Sequence, residues 1–256
     1  MGTFFADIHA SVESQLGHVL CAIEDSPEVA ALRCTREPEQ LLQLAQALGF
    51  QLRYREAAEV CSQVISLLPG DIRPIRLRAA RHLSTLQTEK AISDFLTCRA
   101  LGGDEMDISY RLGLCYYMAG RYEDAMAELS RCLPLCDDEM GVAVIFWHTL
   151  SAWRADRMPV LLYRSYHSDM QVGHHTAYDF AMQVASEQLP LSAALTRLNN
   201  EPEDLEFSIM AYGIAEFMKH NGLAYQPLIQ TLLRRDSFWI SYCYIAAWND
   251  TFGKKV

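Results

Sequence analysis

The chain has 256 residues, half of them apolar, with a net charge of -10 and a pI near 5.2. That apolar share can bury a sizeable core and excludes a disordered chain, while the acidic total argues against a nucleic-acid partner, whose phosphates need a basic stripe. No run of uncharged apolar residues is long enough for a membrane span, and Asp7 and Glu13 break the stretch that a secretory signal would need, so the expected location is cytoplasmic.

Residues 1–37 are expected to hold a capping helix. Phe4, Ile8, Val12, Leu16, Val19, Leu20 and Ile23 recur at helical spacing and a Pro-containing stretch follows, ending at Pro38. Met1-Gly2-Thr3-Phe4-Phe5-Ala6 starts like a myristoylation site but carries Ala6 where Ser or Thr is required.

From 38 to 139 the sequence repeats. Ala57, Ala91 and Ala125 stand 34 residues apart, and in the same register Leu44, Arg78 and Leu112 coincide. So do Ala45, Ala79 and Gly113, then Leu48, His82 and Tyr116, then Tyr54, Thr88 and Tyr122. A period of this length predicts stacked helical hairpins. In the cleanest unit, 107–137, Leu112, Gly113 and Tyr116 share a face of the first helix, Ala119-Gly120-Arg121 makes the turn, and Tyr122, Ala125, Leu129 and Cys132 line the second helix. Gly113 and Ala125 are small, which lets the two backbones approach closely.

After Glu139 the phase decays: continuing it places Trp147 at the small-residue position and Pro159 at the alanine position, so that hairpin must pack differently. Segment 140–200 is therefore read as divergent hairpins, with helices over 176–188 and 191–199. Segment 201–256 is read as a degenerate repeat, with helices over 203–219 and 225–234, followed by an aromatic helix from Phe238 to Trp248.

Leu112-Gly113, Tyr116, Gly120-Arg121-Tyr122, Ala125, Leu129 and Cys132 resemble the tetratricopeptide repeat pattern, as do Leu41, Leu44-Ala45, Leu48, Tyr54, Ala57, Cys61, Val64 and Pro69 one unit earlier. The middle unit matches through Ile75, Ala79, Ala91, Phe95 and Cys98 but has Arg78 where Leu is usual. The resemblance covers about two fifths of the chain. It implies one all-α domain, a right-handed superhelical solenoid of about six antiparallel hairpins whose last repeats are degenerate. It also implies a non-catalytic scaffold or adaptor that holds a partner's peptide in a concave groove.

Projected on this chain, the groove positions of that family fall at Gln43, Gln46, Arg73, Arg76, Tyr110, Arg111, Tyr117 and His148. Arginines and tyrosines there would suit an acidic or C-terminal peptide, because guanidinium forks carboxylates while tyrosine packs and hydrogen bonds. The competing expectation is that Arg73, Arg76 and Arg111 are solvated and paired with nearby acids such as Asp71, Asp104 and Asp107. The family's chaperone-tail clamp would fall at Leu42, Gln46, Leu77, Asp107 and Arg111; only Arg111 fits, so that partner is not expected.

Phe238, Trp239, Tyr242, Ile245 and Trp248 offer an apolar surface that either folds into the core or forms a homodimer face. His167, His174 and His175, with Asp169 and Asp179, could offer ligands for a metal-binding or enzymatic protein, the alternative from a different class; they match no metal motif, and the favoured reading is a polar loop. The eight cysteines are scattered, with no CxxC pair, and Cys61, Cys98 and Cys132 occupy register positions of small buried hydrophobes. No GxSxG elbow, GxxxxGK loop or Cys-plus-His signature is present, so neither an enzyme nor a cofactor is expected.

Overall fold

The structure is a computed structural model that describes residues 24–235 and 241–253. The helix expected between Phe4 and Ile23 lies outside them, as do Phe238 and Trp239. Every regular element among the described residues is helical, so the fold is all-α. The chain divides into two compact units, Met1–Asp104 with Phe252–Val256, and Glu105–Thr251.

In the first unit a short helix, α1 (Pro27–Leu32), precedes α2 (Pro38–Phe50), α3 (Tyr54–Leu67), α4 (Ile72–Ser84) and α5 (Thr88–Ala100). The starts of α2 and α4 are 34 residues apart, and so are those of α3 and α5; the period of the sequence is the period of the helices. Local chemistry sets these starts. Pro38 opens α2, where its missing N–H is no loss, and the Asp71 carboxylate caps α4 by accepting from Arg73 N at 2.9 Å.

The hairpin turns need a left-handed residue, supplied by Leu52 (φ 61°) and Leu86 (φ 57°) and, in the second unit, by Gly120 (φ 75°). Only the glycine is at ease there; for the two leucines the conformation costs about 1–2 kcal/mol, which the burial of Leu86 offsets. Leu44, Ala45, Leu48, Ala57, Cys61 and Val64 fill the first hairpin. The next hairpin is stacked in register with it, since Arg73 on α4 bonds Glu39 on α2, one period away, at 2.6 Å. Buried Arg53 ties the segment before α1 to α3 by bonding both Asp25 and Glu56.

The second unit opens as the repeat predicts, with α6 (Glu105–Met118) and α7 (Tyr122–Cys132). A Cβ at Gly113 would lie 2.6 Å from Leu129 Cγ, so the small residue there sets how closely these helices approach. A 3-10 turn, Leu133–Leu135, leads to α8 (Asp138–Arg154), which is buried on every side from Gly141 to Ala152 and places Trp147 in full burial. Its mate α9 (Val160–Ser165) is short, and irregular chain follows.

Helices α10 (Thr176–Ala185), α11 (Leu191–Leu198), α12 (Asp204–His220), α13 (Gln226–Arg234) and α14 (Tyr242–Phe252) complete the unit, close to the segments expected. Among the described residues no helix is long and apolar enough to cross a membrane.

Helix α12 packs against both α8 and α10 through Gly213, where a Cβ would come within 2.6 Å of Phe146 Cε2 and 2.7 Å of Ala181 Cβ. Neither neighbour is a flexible chain end. Gly213→Ala is expected to destabilise the second unit by about 1–3 kcal/mol through overpacking. Trp147, Trp153 and Trp248 lie in this unit, so urea unfolding followed by tryptophan fluorescence measures the loss.

Candidate functional site

The expected groove positions divide into two groups with different surroundings. In the first unit Gln43 and Gln46 on α2 and Arg73 and Arg76 on α4 are all exposed. Arg73 is paired: it bonds Asp71 and Glu39, and its hydrogen bonds hold both carboxyls below their ordinary range.

In the second unit the expected positions are enclosed. Arg111 is half-buried, its Nε donating to Asp107 Oδ1 at 2.8 Å and its Nη1 to the Tyr242 hydroxyl at 3.0 Å. Tyr110 is half-buried beside it, and burial raises its pKa. Tyr117 and His148, expected to face a partner, instead keep only 4% and 2% exposure. The Tyr117 hydroxyl bonds that of Tyr212 at 2.8 Å, and its ring meets Trp147 edge-on at 5.1 Å. His148 Nδ1 is buried without a hydrogen-bond partner among the described residues, and burial pushes the imidazole down to about 4.

Tyr117 is enclosed by Tyr122 on α7, Trp147 on α8 and Tyr212 on α12, while α14 engages Arg111 and covers part of the same face. Tyr242 accepts from Arg111 on α6, Asn249 Nδ2 donates to Met118 O on α6 at 2.9 Å, and Asp250 bonds Arg154 on α8 and Tyr212 on α12. Just before the helix, Ser241 accepts from Ser208 of α12 at 2.6 Å. The helix thus lies over the α6, α8 and α12 face where the groove was expected. Of the suggested homodimer face, Ile245 is fully buried, Trp248 keeps 7% exposure and Tyr242 is bonded within the unit, as the intramolecular alternative expects.

A second concavity, roughly 720 Å³, lies in the first unit between α3, α4 and α5. Its lining includes Arg55, Glu59, Arg78, His82, Lys90 and Asp94. Arg78 forks Asp94 with bonds of 2.8 and 2.7 Å and reaches the Ser62 hydroxyl at 3.1 Å. These partners explain the one departure of Arg78 from the repeat pattern. Its register counterpart is Leu44, and that of Asp94 is Val60, so a polar pair replaces an apolar one at matching positions. The paired change was readable in the sequence only by following both positions together. Burial drives His82 down to about 4, although Asp94 opposes the shift.

The histidines of the irregular stretch bond acidic residues and backbone. His167 pairs with its neighbour Asp169 at 2.7 Å, His174 N donates to Glu139, and His175 Nδ1 lies 2.5 Å from the Glu139 carbonyl. Among the described residues no group of three or more His, Cys, Asp or Glu side chains could hold a metal ion. No protein-family model matches the chain, and no curated protein matches it.

Two predictions follow the buried polar groups. Arg78→Leu alone leaves Asp94 without its main partner and is expected to cost about 2–3 kcal/mol, below the roughly 3–5 kcal/mol of a fully buried pair because Arg78 keeps 24% of its side chain exposed. Arg78→Leu/Asp94→Val, which copies the first hairpin, is expected to recover most of that loss in thermal unfolding. The second concerns pH. A folded-state imidazole held near 4, against an ordinary 6.5, contributes stability that is complete above pH 6.5 and is lost as pH falls toward 4. His148 alone is expected to remove on the order of 2 kcal/mol from the second unit between pH 7 and pH 5, and His148→Leu to flatten that slope in fluorescence-monitored urea unfolding.

Proposed function

We propose that this chain is a non-catalytic scaffold or adaptor of the tetratricopeptide class, acting in the cytoplasm through a protein partner. In this proposal the hairpins belong to a right-handed superhelical solenoid. What supports that architecture is the shared 34-residue phase of helix starts and left-handed turns, together with the one-period ion pair between Arg73 and Glu39.

The binding surface is assigned to Gln43, Gln46, Arg73 and Arg76. The observation that carries this assignment is the exposure of all four on two helices stacked in register. Two guanidinium groups can fork carboxylates, Arg73 by exchanging its partners Glu39 and Asp71 for those of a peptide, and two amides can pair with peptide backbone, which suits an acidic or C-terminal segment. Tyr110, Arg111, Tyr117 and His148 leave the site, because α14 and the core already engage or enclose them. A helical face that is ordered before binding leaves most of the ordering cost to the peptide.

The test is capture of partners from native lysate, identified by mass spectrometry, with Arg73→Glu/Arg76→Glu run in parallel. The expected result is a partner carrying an acidic segment, retained by the native chain and reduced at least tenfold with the variant, whose circular dichroism is unchanged. A partner held equally by both proteins overturns the assignment of this face.

A further inference from the structure

Where α7 passes into α8, two thiols stand four residues apart: Cys132 ends α7, and Cys136 follows the 3-10 turn. Their sulfurs are 3.6 Å apart, close to van der Waals contact, and they form no disulfide. The two environments differ. Cys132 is fully buried, with its sulfur 3.3 Å from the Met106 carbonyl on α6. Cys136 is half-buried and therefore open to a small oxidant.

Backbone geometry permits the pair to close. Cys136 has extended torsions (φ -98°, ψ 150°) and lies outside both α7 and α8, so it can shift without breaking either helix. Residues four apart on a helix have Cβ atoms about 5–6 Å apart, and a disulfide needs about 3.8 Å, so closure requires only a tightening of the intervening turn.

We propose that Cys136 is a peroxide-reactive modification site and that Cys132 resolves it as an intramolecular disulfide. The Cys136 thiolate attacks hydrogen peroxide: an S–O bond forms, the O–O bond breaks, and the departing hydroxide takes up a proton to leave as water. Cys136 is then a sulfenic acid. Cys132, giving up its proton, attacks that sulfur; the S–S bond forms, the S–O bond breaks and a second water leaves. The two thiols together lose two electrons, and one peroxide becomes two waters.

The electrostatics agree with these roles. The Cys132 thiol hydrogen bonds to Cys136 and lowers its pKa, while burial and the Asp137 carboxylate oppose the change. Asp137 is partly committed elsewhere, since its Oδ1 accepts from Met140 N at 2.9 Å to cap α8. By contrast, burial pushes Cys61 up to about 12 and also raises Cys243, which keeps both as poorly reactive thiols.

The test exposes the full chain to stoichiometric hydrogen peroxide, followed by thiol alkylation and tryptic mapping. Arg131 and Arg154 bound a peptide, Cys132 to Arg154, that contains both cysteines and no other cleavage site. The expected product is this peptide lighter by two hydrogens and refractory to alkylation, restored by a dithiol reductant. Cys132→Ala is expected to leave a sulfenic acid at Cys136 that dimedone traps, and Cys136→Ser to leave Cys132 alkylatable after unfolding. Exposed Cys34 serves as an internal comparison. Retention of both thiols under conditions that oxidise Cys34 overturns the site, and over-oxidation of Cys136 without a disulfide in the native sequence overturns the role of Cys132.

Discussion

One guanidinium organises the second unit. Arg154, in the last turn of α8, forks Glu216 on α12 with bonds of 2.5 and 2.8 Å and also bonds Asp250 on α14. Its charge lies 6.0 Å from the ring centroid of Tyr117 on α6 and 5.9 Å from that of Tyr122 on α7. Removing such a charge from water costs several kcal/mol, recovered only where every polar neighbour is satisfied. Here Tyr212 completes the network by donating to Asp250 at 2.9 Å and sharing a hydrogen bond with Tyr117. Burial pushes the Glu216 carboxyl upward and Arg154 opposes it, so the pair is stable only as a unit. Shifting α14 by a residue would move Asp250 away from the arginine and Asn249 away from the Met118 carbonyl at once.

The same register positions meet different fates in the two units. Arg76 and Tyr110 are one period apart, yet Arg76 is exposed on α4 while Tyr110 on α6 is half-buried near α14. Leu77 and Arg111 are likewise equivalent, and Arg111 is held by Asp107 and Tyr242. A repeat register specifies which side of a helix a residue occupies. It does not specify what covers that side.

That distinction explains what the sequence disclosed. The hairpins of 38–132 were legible because their determinants are local: helix period, the capping Asp71, Pro38, Gly120 at the turn and the small Gly113 opposite Leu129. Trp147 correctly marked the end of the regular phase, although its destination in the core was not readable. The burial of Tyr117 was hidden because its hydroxyl bonds Tyr212, 95 positions away, and Arg111 is likewise held by Tyr242, 131 positions away. The Cys132–Cys136 pair has no CxxC spacing, and the 3-10 turn that brings its sulfurs together carries no sequence signature.

The long reach of α14 also bears on how the chain acquires its structure during synthesis. The hairpins of the first unit join neighbours in sequence, so each can form soon after it leaves the ribosome. In the second unit, Met118, Arg154 and Tyr212 are all made before the Asn249 and Asp250 that engage them. Until α14 emerges, the α6, α8 and α12 face presents apolar surface and an Arg154 bonded to Glu216 but without its Asp250 partner. The nascent second unit therefore passes through a stage at which the face later sealed by its own helix is open to chaperones.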